Sequence, residues 1–138
     1  MSSQRPIVLT EQDVTRLRRL IEQNASGRNA MECAALEAEL DRAEIVPPTA
    51  VPPSVVTMNS RVRFVDEQTG EEREIALVYP SDASVEHARI SVLAPVGAAL
   101  LGLAVGEFIE WPMPGGATKR LRVVSVLYQP EAAGEFER

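Results

Sequence analysis

One cysteine, one histidine and one lysine stand in a chain of 138 residues, and these scarcities remove several functions at once. A lone Cys33 leaves no disulfide framework. It falls on the apolar stripe of a helical pattern with no basic cluster to lower its pKa, so it reads as core rather than nucleophile. His87 has no second histidine with which to bind a metal or relay a proton, and it reads as ordinary surface. Aromatic residues make up only 4% of the chain, so Val, Leu, Ile and Ala must build its core. No run reaches the roughly 18–20 consecutive apolar residues of a membrane span. The opening MSSQRPIVLTEQD has no apolar signal core either, and both absences point to the cytoplasm. A net charge of −6 argues against nucleic acid as the main partner, because phosphate binding needs a basic face. All basic residues except Lys119 are arginine, which leaves room for local Arg patches.

What the chain does have is one long uncharged stretch, Ile90 to Gly106, reading ISVLAPVGAALLGLAVG. Ile90, Val92 and Ala94 alternate with Ser91 and Leu93, the period of a strand buried on at least one face. Pro95 presets φ for a first helical turn, and Val96, Leu100 and Leu103 then recur at i, i+4 and i+7. Gly102 is placed to cap that short helix. So apolar a sequence of strand, helix and strand belongs in the middle of a core.

On the N-terminal side, Ile7, Val8 and Leu9 form either a brief strand or a hydrophobic lead-in. Thr10 followed by Glu11, Gln12 and Asp13 has the form of an N-cap with acids in the first turn. Val14, Leu17 and Ile21 then predict a helix from about Glu11 to Gln23. The turn formers of Asn24 to Asn29 break it. Cys33, Leu36, Leu40 and Ala43 predict a second helix from about Ala30 to Ile45, stopped by Pro47-Pro48. Two such helices should lie antiparallel as a hairpin roughly 20–24 Å long at 1.5 Å per residue. Two Pro-Pro pairs make residues 47–54 an extended, stiff connector, which divides the chain into 1–46, the 47–54 linker and 55–138.

Beyond the linker the pattern turns to β. Arg61 to Val65 and Arg73 to Tyr79 flank the turn at Asp66 to Gly70, Phe108 to Trp111 follows the uncharged stretch, and Lys119 to Gln129 makes a long last strand. The tail EAAGEFER reads as polar and frayed. The expected fold is α+β, with an antiparallel sheet and one short helix in its C-terminal part.

Catalytic motifs are missing. Gly97 to Gly102 has the GxxxxG spacing of a phosphate loop, but Leu103-Ala104 stands where Lys and Ser or Thr should follow. Asn24-Ala25-Ser26 matches a glycosylation sequon, which carries no meaning in a cytoplasmic protein. Glu71-Glu72 and the acids of the second helix, Glu32, Glu37, Glu39, Asp41 and Glu44, are best explained as solvated faces rather than a metal site. No enzymatic activity and no cofactor are expected.

The order of parts, and the wording of Ile90 to Glu107 with Pro114-Gly115-Gly116 after it, resembles the transcript-cleavage (Gre) factor family. That family's signature has the form I-S-x-x-S-P-[IVM]-x-x-A-L-[IL]-G-x-x-x-G-D. The runs Val56 to Val62, Leu77 to Pro80, Ala94 to Gly102, Tyr128 to Gly134 and Ala38 to Ala43 resemble its Rnk branch, the regulators of nucleoside diphosphate kinase. The resemblance implies a short coiled-coil hairpin followed by an FKBP-like domain. It implies a monomer that docks on RNA polymerase at the secondary channel, competes with other factors there, and touches neither membrane nor specific nucleic acid. The rim contact carries over to Leu93, Ala94 and Pro95, with Leu93 standing where cleavage factors often have an acidic or amide residue. Cleavage factors also carry two acids at the hairpin tip to hold a catalytic magnesium. The tip here, Asn24, Ala25, Ser26, Gly27, Arg28 and Asn29, has none, and the hairpin is shorter than theirs. The resemblance therefore implies docking without cleavage, with an indirect effect on kinase levels. Two alternatives stand beside it: direct binding of the kinase, and prolyl isomerase activity, which some FKBP-like domains possess.

Overall fold

The computed structural model describes residues 7–24, 27, 30–112, 114–116 and 118–135. Val8–Thr10 is a short strand, β1, and Thr10 ends it by capping the helix α1, Glu11–Asn24. The Asp13 amide donates to Thr10 Oγ1 at 3.1 Å, satisfying one of the open donors of the first turn. Val14, Leu17 and Ile21 are buried along one face of α1, and Cys33, Leu36 and Leu40 are buried on the helix α2, Ala30–Arg42, which packs against it.

Helical periodicity carries α2 on to Ile45, yet the helix stops at Arg42 and Glu44–Val46 becomes strand β2. β2 pairs parallel with β1, from Val8 with Glu44 to Thr10 with Val46, and the Glu44 amide donates to the Ile7 carbonyl at 2.8 Å. Two β-branched residues directly before a proline favour extended backbone, and the ladder gives it partners. The open choice at Ile7 to Leu9 thus resolves to a strand from Val8.

The remaining strands are β3 (Arg61–Asp66), β4 (Glu72–Val78), β5 (Arg89–Ser91), β6 (Phe108–Pro112) and β7 (Thr118–Tyr128), with helix α3 (Pro95–Leu100) between β5 and β6. They form one sheet in the order β5-β4-β3-β7-β6. Along β3 the alternation is plain, with Val62 and Phe64 buried and Arg61 and Arg63 exposed. The β3–β7 register shifts between Arg61 and Val62 and again between Arg63 and Phe64, irregularities of the kind that increase local twist and curl a sheet. Contrary to a wholly antiparallel sheet, β4 and β5 are parallel. The loop between them, with its helical turn at Pro80–Asp82, carries the chain back to the same end before β5 begins.

The architecture is α+β, N-terminal helices followed by a curled sheet. Leu9, Leu17, Leu36 and Leu40 share one apolar cluster with Met58, Val62, Leu77, Val92, Leu100 and Leu103, so helices and sheet are packed together. The proline-rich segment is fastened down as well. Gln129, almost fully buried, donates from Nε2 to the Pro52 carbonyl at 2.8 Å and the Val55 carbonyl at 2.7 Å. The first part of the tail folds back on the domain. Glu131 accepts from Thr57 Oγ1 at 2.7 Å, and the Glu135 amide donates to the Pro130 carbonyl at 2.8 Å.

Candidate functional site

The corner at Leu93 to Pro95 is built by Ser91. Its Oγ accepts from the Leu93 amide at 3.0 Å and its carbonyl accepts from the Ala94 amide at 3.0 Å, so the strand turns as soon as it ends. Ala94, at φ −69° and ψ 147°, is still extended, and Pro95 opens α3, where a missing N–H costs nothing. Gly97 lets that helix lie close against β5, since a Cβ there would stand 2.2 Å from the Ser91 carbonyl oxygen. Leu93 is buried and belongs to the core, whereas Ala94 is half-buried. The structure therefore brings the three predicted residues together in one corner but leaves the Leu93 side chain inside it.

At the tip of the helical pair, Asn24 closes α1 by donating from Nδ2 to the Leu20 carbonyl at 2.8 Å. The Gly27 amide donates to the Asn24 carbonyl, and the Ala30 amide to the Gly27 carbonyl, both at 3.2 Å. Ala25, Ser26, Arg28 and Asn29 lie outside the described residues. His87 is exposed beside Ser84 Oγ, Cys33 is buried on α2, and among the described residues no group of three His, Cys, Asp or Glu side chains gathers to hold a metal ion.

Sequence reasoning missed the joint between the helices and the sheet. Ile7 crosses Gly102 so closely that a Cβ on the glycine would lie 2.5 Å from the Ile7 Cβ, and the Val8 amide donates to the Gly102 carbonyl. Gly102 takes φ +83°, a conformation that other residues adopt only with strain. One turn into α1, the carboxylate of Asp13, 3% exposed, accepts from the Met58 amide at 3.1 Å. Burial raises the Asp13 pKa from 3.8 to about 7; the Met58 hydrogen bond opposes the shift and nearby Glu131 reinforces it. Tyr79 faces the same cluster, and burial pushes its phenol well above the ordinary value, with the Asp13 charge adding to the shift and Arg16 opposing it. In the sequence Asp13 is indistinguishable from an ordinary first-turn acid. Only its partner, 45 residues away, reveals its place.

The family model described as "Transcription elongation factor, GreA/GreB, C-term" matches residues 51–128, more than half of the chain. The chain belongs to the GreA/GreB family. A second model, "Rnk N-terminus", matches residues 5–46, the stretch that holds both helices and the β1–β2 ladder. The "Regulator of nucleoside diphosphate kinase" of Escherichia coli (strain K12) is 47% identical over 130 residues, covering 94% of this chain and 95% of that protein. The "Transcription elongation factor GreA" of Thermodesulfovibrio yellowstonii is 35% identical over 94 residues, 68% of this chain and 59% of that one. Among solved structures, the "Prokaryotic transcription elongation factor GreA/GreB from Nitrosomonas europaea" superposes with a TM-score of 0.73 at 50% identity, covering 91% of this chain and 100% of that one. In this GreA/GreB chain the joint ties the two matched regions to each other. Ile7 and Asp13 lie in the N-terminal match, Gly102 and Met58 in the C-terminal one.

Proposed function

We propose that this chain is a non-cleaving member of its family that docks on RNA polymerase at the secondary channel. In this reading residues 55–138 form an FKBP-like docking domain, 47–54 the linker, and 1–46 a short antiparallel coiled-coil hairpin that points inward. The observation that carries it is the tip. Asn24 to Asn29 holds no carboxylate, and a hard cation such as magnesium binds poorly to amide and hydroxyl oxygens alone. Helices of 14 and 13 residues reach only about 20 Å at the helical rise, in keeping with a tip that stops short of the active site. Because Leu93 is buried, it would shape the rim-binding corner from within while Ala94 and Pro95 offer the contact. The protein acts as a cytoplasmic monomer without a cofactor, competes with cleavage factors, and alters nucleoside diphosphate kinase levels through expression.

A second reading, direct binding of the kinase, is favoured by the name of the Escherichia coli relative, a regulator of nucleoside diphosphate kinase. Prolyl isomerase activity has less support, because Phe64 is buried in the core and Phe108 lies under the guanidinium groups of Arg120 and Arg122. The deciding experiment measures competition with a cleavage factor for core RNA polymerase, alongside transcript cleavage in a stalled complex. Competition without cleavage is expected. Recovery of the kinase from a lysate with no polymerase subunit would reject docking in favour of the second reading.

A further inference from the structure

Two carboxylates from opposite ends of the chain meet on one turn. In that turn, Thr57 to Ser60, the Ser60 amide donates to the Thr57 carbonyl at 3.1 Å and the Thr57 amide to Ser60 Oγ at 2.9 Å. Asp13 of α1 accepts from the Met58 amide, and Glu131 of the tail accepts from the neighbouring Thr57 hydroxyl. Asp13 is buried and Glu131 half-buried. Enclosure disfavours a charged carboxylate, and a second carboxylate close by disfavours it further. Among the described residues the ionisable groups that act on Asp13 are Arg16 on its own helix, Tyr79 just past β4, and Glu131 on the tail. The 57–60 turn brings none. Arg16 is shared, because it also hydrogen-bonds the Tyr79 phenol. Arg19 and Asp82, which line the open cleft beside Arg16 and Tyr79, offset one another in charge. One guanidinium thus serves two carboxylates. Of the elements around this cluster the tail is the easiest to displace. α1 is anchored by buried Val14, Leu17 and Ile21, whereas Ala132 to Glu135 are exposed. Their turn is held to Gln129, whose Oε1 accepts from the Ala132 amide and whose carbonyl accepts from the Ala133 amide, both at 3.1 Å.

We propose that Asp13 and Glu131 form a proton-operated clasp: with Asp13 neutral the tail turn is closed on Thr57, and when Asp13 loses its proton Glu131 is driven off the Thr57 hydroxyl and the turn loosens. Burial sets the change near pH 7, with the clasp closed below and loosened above. It does not depend on polymerase docking, and it is tested on the full chain alone. Backbone amide order parameters of Ala132, Ala133 and Gly134 are measured by NMR relaxation from pH 5.5 to pH 8.5, beside the carboxyl carbon resonance of Asp13. In the parent protein these order parameters should fall by at least about 0.2 from the rigid value of about 0.85, with the midpoint of the Asp13 titration. Asp13→Asn has no proton to lose, and Glu131→Gln keeps an acceptor for Thr57 without the charge. Both variants should hold the turn ordered across the whole range. Order parameters that stay constant in the parent, or a fall that persists in Asp13→Asn, would each overturn the clasp. A fall that persists in Glu131→Gln would overturn the part assigned to repulsion between the two carboxylates.

Discussion

Asp13→Asn is the sharpest perturbation available, because it removes one ionisation and little else. The unfolded chain releases the Asp13 proton near 3.8, whereas the native chain holds it to about 7. Between those values the unfolded state binds fewer protons, so stability falls as pH rises. The stabilising contribution is complete below about pH 4 and lost once the pH has passed about 7, where the native carboxylate is also charged. At about 1.4 kcal/mol per pKa unit, a shift of this size amounts to about 4 kcal/mol in all, and about 2–3 kcal/mol of it falls between pH 5 and pH 8. Asparagine keeps an oxygen for the Met58 amide but has no proton to lose. Urea unfolding of both proteins from pH 5 to pH 8 should therefore show the variant gaining about 2–3 kcal/mol on the parent as pH rises. Glu131→Gln removes the neighbouring charge that reinforces the shift, and should reduce the gain. A difference between parent and Asp13→Asn that stays flat across the range would refute the placement of this carboxylate in the joint.

Four further variants test the joint, the proline-rich segment and the tip. Gly102→Ala must accept both φ +83° and a Cβ 2.5 Å from Ile7, and should lose about 2–4 kcal/mol by chemical denaturation. Gly106→Ala, at φ +89° with no atom within 4 Å of the new Cβ, should lose only about 1 kcal/mol, and equal losses would show that the Ile7 contact is unimportant. Gln129→Ala leaves the Pro52 and Val55 carbonyls without their donor, and should cost about 2–3 kcal/mol by thermal unfolding. Adding acids at the tip, Ala25→Asp with Ser26→Glu, should leave transcript cleavage absent in a stalled-complex assay. Cleavage by that variant would show that reach was never limiting.

The elements with strong local periodicity were legible before any coordinates. The apolar stripe of α1, the alternation of β3, and the proline that opens α3 each express a period or a fixed φ within a few residues. What was hidden depends on partners far along the chain. Glu44–Val46 looks like the last turn of α2 until β1 is there to pair with it, and β5 looks like a hairpin partner until its direction beside β4 is known. Gln129 reads as an ordinary polar residue at the end of a strand, and only the carbonyls of the proline-rich segment give it a purpose. The corner's wording pointed to a family, but the burial of Leu93 follows from packing that no motif encodes.

The crossing of Ile7 over Gly102 also bears on how such a molecule would meet a large partner. Gly102 ends the same short segment whose beginning is the Leu93–Pro95 corner, and Ile7 leads directly into the strand that starts α1. Corner and helices are thus arms of one bracket, joined where Ile7 packs on Gly102. A partner that grips both arms would have little chain left to order on binding, and a bracket of the wrong angle would be rejected whatever its surface chemistry.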